Sequence, residues 1–154
     1  MFQRPNFVER IGQIHFGGVV MASLSIIEGV GEAFEAKLKA AGVSSTSALM
    51  EKGATKKGRA ALAAECDISE KLILKWVNHV DLMRVKGIGG EYAELLEAAG
   101  VDTVPELAQR KPENLLTKMT EVNDAKNLVR KLPVLKQVED WVDQAKALPK
   151  VVSH

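Results

Sequence analysis

Residues 85–107 read VKGIGGEYAELLEAAGVDTVPEL, and residues 27–49 read IEGVGEAFEAKLKAAGVSSTSAL. The two stretches are related by an offset of 58 residues, and eight of the 23 aligned positions are identical. The identities include both glycines of a G-x-G pair and the whole block AAGV. Agreement of this kind in a single frame indicates an internal duplication, so each local prediction for one copy applies to the other.

Each copy carries the signals of a tight turn followed by a short amphipathic helix. The glycine pair supplies the positive φ angles that other residues resist, and it therefore predicts the turn. Apolar residues then recur at i, i+4 and i+7, which predicts helices over 32–41 and 90–99. Gly42 and Gly100 follow at the position where a left-handed residue ends a helix.

The remaining sequence is also predicted to be helical. Several residues can accept free N–H groups of a first helical turn: Ser45, Asp102 or Thr103, Thr55 (helix to about Cys66), Ser69 (helix to about His79) and Asn123 (helix through about Leu132). Asp81 is expected to open a short helix through Arg84, and a last amphipathic helix follows Pro133 and stops before Pro149. Because no convincing strand pattern is present, the sequence predicts an all-α fold of roughly ten short helices.

The predicted organisation is one compact domain in four parts: an N-terminal arm or short helix over 1–22, a first unit over 23–82, a second unit over 83–132, and a C-terminal bracing helix with its tail over 133–154. The first part has only a short, interrupted apolar run over 14–20, so a secretory signal is not favoured. Met21 would also make a natural start, and the first twenty residues would then be an upstream extension.

Composition narrows the function. The 154 residues are 46% hydrophobic and 27% charged, which is typical of a globular protein. The chain has 21 Lys and Arg and 20 Asp and Glu, so its net charge is close to zero and no overall field attracts a polyanion. One cysteine excludes an internal disulfide, the three histidines show no metal-ligand spacing, and no stretch approaches the ~20 apolar residues of a membrane span. We expect a cytoplasmic protein that is not an enzyme and needs no metal, cofactor or small-molecule substrate.

Helical spacing also predicts the core. Six large side chains are expected to be buried because apolar partners surround each at i±3 and i±4: Phe34, Leu38, Trp76, Tyr92, Leu96 and Trp141. Cys66 is expected to have a packing role, and His79 is expected at the surface or at a helix end.

The segments G-V-G and G-I-G, each between a short apolar stretch and an amphipathic helix, resemble the helix–hairpin–helix motif of DNA-repair and recombination proteins. Over residues 24–150 the chain resembles an uncharacterised bacterial family of duplicated helix–hairpin–helix proteins, catalogued as a domain of unknown function. The segments TKKGRAALAAECDIS, LKWVNHVDLMRVKGIGGEYAELLEAAGVDTVPELA and WVDQAKALP carry this closer resemblance. It implies two hairpin units packed as one all-α domain.

The resemblance also implies a site. In DNA-binding members of the motif, backbone N–H groups of the hairpin hold phosphate oxygens, and the positive end of the following helix favours the anion. The corresponding groups here are those of Gly29, Val30 and Gly31 in the first hairpin and Gly87, Ile88 and Gly89 in the second. Lys86 and Arg84 flank the second hairpin. The densest basic cluster, Lys56, Lys57 and Arg59, is a further candidate phosphate site.

Carboxylates oppose this assignment at both hairpins. Glu28 and Glu32 flank the first, and Glu91 follows the second. The group Lys126, Arg130 and Lys131 is interpreted as a solvated helix face. Two function classes therefore stay open: non-catalytic, sequence-independent binding of duplex or branched DNA, or a protein–protein interaction or scaffold module that retains the fold without DNA binding.

Overall fold

The computed structural model describes residues 22–154, and the expectations for the N-terminal arm, signal or extension lie on residues 1–21, outside the described range. A 3-10 helix, Leu24–Ile26, precedes eight α-helices: α1 Glu32–Ala40, α2 Thr46–Gly53, α3 Lys56–Cys66, α4 Glu70–Leu82, α5 Gly90–Ala98, α6 Val104–Ala108, α7 Pro112–Lys126 and α8 Leu135–Ala147. Residues 22–154 contain no strand, so the predicted all-α class is confirmed for this range.

Three predicted N-caps are confirmed because each hydroxyl accepts a first-turn N–H group. Ser45 accepts from Ala48, Thr55 from Gly58 and Ser69 from Leu72, all at 3.0–3.1 Å. Each bond satisfies one of the four N–H groups that a helix start leaves without an intrahelical partner.

The two G-x-G turns have the same backbone conformation. Gly29 has φ +91° and Gly87 has φ +101°, a region that strongly favours glycine. The N–H of the middle residue closes each turn: Val30 bonds the carbonyl of Ile27 at 3.2 Å, and the equivalent bond in the second turn is 3.1 Å. The amphipathic helices that come next, α1 and α5, are followed by Gly42 and Gly100, which both have positive φ, as expected.

A tryptophan from a later helix packs beneath each turn. The ring of Trp76 meets Phe34 with centroids 5.1 Å apart, and Trp141 meets Tyr92 at 5.2 Å. A Cβ at Gly87 would lie only 2.8 Å from Nε1 of Trp141, so this turn needs glycine for space as well as for φ. The pairing couples α1 to α4 and α5 to α8.

The buried side chains form two clusters. The first runs from Leu24 to Val80 and also takes in Val152, and the second runs from Leu82 to Ala145. Four of the six predicted core residues are buried, namely Leu38, Leu96, Trp76 and Trp141, whereas Phe34 and Tyr92 are half-buried at the cluster edges.

Two predicted helix starts are wrong, because each side chain has a different partner. Asp81 opens no helix: α4 continues to Leu82, and the buried Asp81 carboxylate accepts the N–H of Val104 at 2.8 Å, at the start of α6. Asn123 lies within α7, and its side-chain amide holds both the N–H and the carbonyl of Val129. It thereby closes the loop after the helix.

We expect Leu96→Ala to lower the free energy of unfolding by about 2–5 kcal/mol, because the buried leucine leaves a cavity between α5 and its neighbours. Urea denaturation followed by circular dichroism measures the change. Leu135→Ala, at an exposed leucine, is the control and should cost less than about 1 kcal/mol. Equal effects of the two variants would show that α5 does not carry the second cluster.

Candidate nucleic-acid interface

The second hairpin presents backbone to solvent while one side chain anchors it. Gly87 and Gly89 are exposed, whereas Ile88 between them is buried in the second cluster. Gly89 caps α5 without any side-chain hydrogen bond, and the first helical bond runs from the N–H of Ala93 to the carbonyl of Gly89. The N–H groups of the first turn therefore point away from the helix with a partial positive charge.

Gln144 of α8 fixes the entry to this hairpin. Its Oε1 accepts the N–H of Lys86 at 2.9 Å, and its Nε2 donates to the carbonyl of Lys86 at 3.1 Å. Nε2 also donates to Asp140 at 2.8 Å, one turn earlier on α8. The Lys86 backbone is thus held from both sides while its side chain stays exposed. No local sequence signal identifies this contact, because 58 residues separate the partners.

Two further cations line the hairpin. A surface pocket of about 400 Å³ is bordered by the hairpin glycines, Glu91, Tyr92, Arg130 and Lys131. The hydroxyl of Tyr92 donates to the carbonyl of Lys131 at 2.9 Å and ties that segment to α5. The interpretation of these basic residues as a helix face is wrong for Arg130 and Lys131, because α7 ends at Lys126.

The first hairpin has the same shape but a different charge. Val30 is buried while Gly29 and Gly31 are exposed, and α1 also begins without a side-chain cap. Its flanking side chains, Glu28 and Glu32, are acidic. The nearby cations on α1 have other partners: Lys37 donates to the carbonyl of Asp67, and Lys39 pairs with Glu35.

The two hairpins lie side by side. A Cβ at Gly90, directly after the second hairpin, would overlap the carbonyl oxygen of Ile26 and come within 3.6 Å of Cγ of Glu28. Glycine at this position allows the start of α5 to touch the chain that enters the first hairpin. One continuous surface therefore carries an acidic turn next to a turn lined by Lys86, Arg130 and Lys131.

The basic cluster at the start of α3 is divided. Lys56 and Lys57 are exposed, but Arg59 is only 4% exposed. Its guanidinium donates to the carbonyls of Gly53 at 2.9 Å, Ala54 at 3.2 Å and Ser153 at 2.7 Å. Desolvation lowers the pKa of Arg59, although the charge of Glu70 acts to raise it. The expected three-cation phosphate site is therefore reduced to two surface lysines.

Arg84 is also buried, with 2% of its surface exposed. Its guanidinium bonds the Asp81 carboxylate at 2.7 Å and the carbonyl of Pro149. Of the expected cations beside the second hairpin, only Lys86 presents its charge at the surface.

Other titratable groups link the helices. His79 lies in the last turn of α4, the helix-end position of the two that were expected, and is buried there rather than at the surface. Its Nε2 lies 3.0 Å from Oε1 of Glu97. Burial alone would raise the pKa of Glu97, but the hydrogen bond and charge of His79 with the charge of Lys75 hold it below its ordinary value. Burial raises the pKa of the Cys66 thiol, which packs in the first cluster as expected.

Within residues 22–154, no three His, Cys, Asp or Glu side chains are grouped closely enough to hold a metal ion. The same part of the chain has no helix long and apolar enough to cross a membrane.

Residues 22–154 thus form a small all-α protein in which two exposed glycine turns directly precede helices α1 and α5. The chain belongs to the family described as "Domain of unknown function (DUF4332)", whose profile matches residues 28–148. No curated protein and no solved structure matches the chain.

Arg84→Gln should lower the free energy of unfolding by about 3–5 kcal/mol, because the buried Asp81 carboxylate loses its charged partner. Lys86→Gln, two residues away at an exposed position, should change it by less than about 0.5 kcal/mol. Thermal and urea unfolding of the two variants measure the difference. Similar stabilities for both would contradict a structural role for Arg84.

Proposed function

We propose that this protein is a non-catalytic module that binds nucleic acid through its second hairpin without reading sequence. The observation that carries the proposal is the pocket in which the exposed hairpin backbone and the start of α5 meet Arg130 and Lys131, with Lys86 at the entry to the turn. Backbone N–H groups, a helix start and three cations match the charge and hydrogen-bonding needs of a phosphate.

The surface offers contacts to phosphates rather than to base edges. The ring of Tyr92 packs on Trp141 and its hydroxyl bonds Lys131, so this aromatic residue is occupied within the protein. Contacts from backbone N–H groups and cations to phosphates position a duplex or branched DNA but carry no sequence information. Glu91 at the rim opposes the phosphate, and we therefore expect modest affinity.

We further propose that the two turn–helix segments are duplicated helix–hairpin–helix units. The support is the offset of 58 residues, the positive φ angles at Gly29 and Gly87, and the aromatic pair beneath each turn. Cations surround the second hairpin, whereas Glu28 and Glu32 flank the first. Nucleic-acid contact is accordingly assigned to the second hairpin, with Lys56 and Lys57 as outlying cations.

Binding should weaken steeply with salt, because each neutralised phosphate releases condensed counterions. Three contacts at Lys86, Arg130 and Lys131 predict a slope of log K against log salt of roughly −3. Each of the single variants Lys86→Ala and Lys131→Ala should reduce the magnitude of that slope by about 1. Fluorescence anisotropy with duplex, forked and single-stranded oligonucleotides measures the slope.

Lys126→Ala is the matched control, because this lysine is exposed at the end of α7, four residues before Arg130, and does not line the pocket. Its slope should equal that of the unchanged protein. A Lys126 variant that weakens binding as much as the Lys131 variant would mean that only net charge matters. Absence of association at ~100 μM protein in low salt would refute nucleic-acid binding altogether.

Gly89→Ala should weaken binding and cost no more than about 1 kcal/mol of stability, because alanine is a poorer N-cap than glycine. A Cβ at Gly89 meets nothing within 4 Å and φ is −101°, so the fold accepts alanine, but the methyl group would stand where a phosphate approaches the first turn of α5. Gly31→Ala makes the equivalent change at the acidic hairpin, also in open space, and should leave the affinity unchanged. Equal affinities for the two variants would remove the second hairpin from the interface.

A protein-interaction module is the second candidate, and the first hairpin favours it. Ile26 is 44% exposed beside the acidic pair Glu28 and Glu32, a combination that suits a partner with apolar and basic side chains. If the oligonucleotide titrations show no association, this function takes the place of the first.

A further inference from the structure

The last described segment, residues 149–154, follows α8, which packs in the second cluster, but the segment itself packs against the first cluster. Helix α8 contributes Trp141 and Val142 to the second cluster, whereas Val152 is buried in the first cluster at 2% exposure. Val151 packs against the same first cluster. The segment therefore crosses from one core to the other.

One buried arginine holds the end of this segment, and His154 adds a contact of 3.2 Å between its Nε2 and Oδ1 of Asn78 in α4. The Arg59 guanidinium donates to the carbonyl of Ser153, 94 residues further on in the sequence. It also donates to the carbonyls of Gly53, the last residue of α2, and of Ala54, which follows it. The N–H of Ser153 adds a bond of 2.8 Å to the carbonyl of Ala54. A buried guanidinium is tolerated only while carbonyl oxygens satisfy its donors, so withdrawal of Ser153 must admit water to the α2–α3 turn.

A second buried arginine holds the beginning of the segment by different means. Arg84 bonds the carbonyl of Pro149 but is also ion-paired to Asp81, whose other oxygen accepts the N–H of Val104. This anchor belongs to the framework around α4 and α6. The two ends of the segment are thus held differently: Pro149 is bonded by an arginine with a carboxylate partner, and Ser153 is bonded by an arginine whose hydrogen bonds all go to carbonyl groups.

We propose that residues 149–154 form a latch that closes the first half of the molecule and can open without unfolding the second half. Val152 and Ser153 are adjacent, so the burial of Val152 and the Arg59–Ser153 bond are gained or lost together. Opening exposes the first cluster beside α2 and α3 and leaves Arg84, Asp81 and the second cluster in place.

Native-state hydrogen exchange on the full chain tests the latch with the variant Val152→Asp. The introduced carboxylate cannot stay buried in the first cluster. Amides of α2 and α3 should therefore exchange at least about tenfold faster, whereas exchange rates of α5 and α7 should stay within about twofold of those of the unchanged protein. Lys150→Asp is the control, because Lys150 is exposed in the same segment and should alter neither group.

A uniform rise in exchange across α2, α3, α5 and α7 would overturn the proposal, since it would show that the two halves open only together. Unchanged exchange in α2 and α3 would overturn it as well. If Val152→Asp does not fold, Ser153→Pro decides the question. It removes both the N–H bond and the hydroxyl bond of Ser153 to the carbonyl of Ala54 and leaves Val152 apolar, and it should produce the same pattern at smaller amplitude.

Discussion

The buried carboxylate of Asp81 is the contact on which most of the tertiary arrangement depends. It stands in the last turn of α4, pairs with Arg84 and accepts the N–H of Val104 at the start of α6. Through Arg84 it also reaches the carbonyl of Pro149, where the chain leaves α8. A charge at 1% exposure is stable only with such partners, so one side chain sets the positions of three chain segments around the entry to the second hairpin.

The two hairpin segments share a backbone and differ in surface chemistry. In both, a positive-φ glycine lies next to a tryptophan that packs on the aromatic residue of the following helix. Only the second is held by a side chain from α8, through the two bonds of Gln144 to Lys86, and only the second collects Arg130 and Lys131. The two turns thus have the same shape and opposite charge, and this asymmetry is the reason for assigning phosphate contact to one hairpin.

The two arginines that appeared most suited to a phosphate illustrate how burial changes a function assignment. Arg59 and Arg84 direct their guanidinium groups at backbone carbonyls of the C-terminal segment, and Arg84 also at Asp81. A carbonyl oxygen and a phosphate oxygen accept the same donors, so the sequence pattern is alike in both cases. The segment that occupies them joins the two cores, which gives these cations a role in connecting the halves.

Local chemistry could be predicted from the sequence: the glycine turns, the caps at Ser45, Thr55 and Ser69, and the end of α8 before Pro149 all depend on contacts within about four residues. Most of the errors share one cause. Asp81 and Asn123 resembled caps, Arg59 and Arg84 resembled surface cations, and Arg130 and Lys131 resembled a helix face. For Asp81 and Arg59 the decisive partner is far along the chain, because Asp81 bonds Val104 and Arg59 bonds Ser153. Asn123 differs, because its partner Val129 is only six residues further on. Sequence spacing encodes contacts along a helix or turn, whereas the site is made by segments that only the packing of two cores brings together.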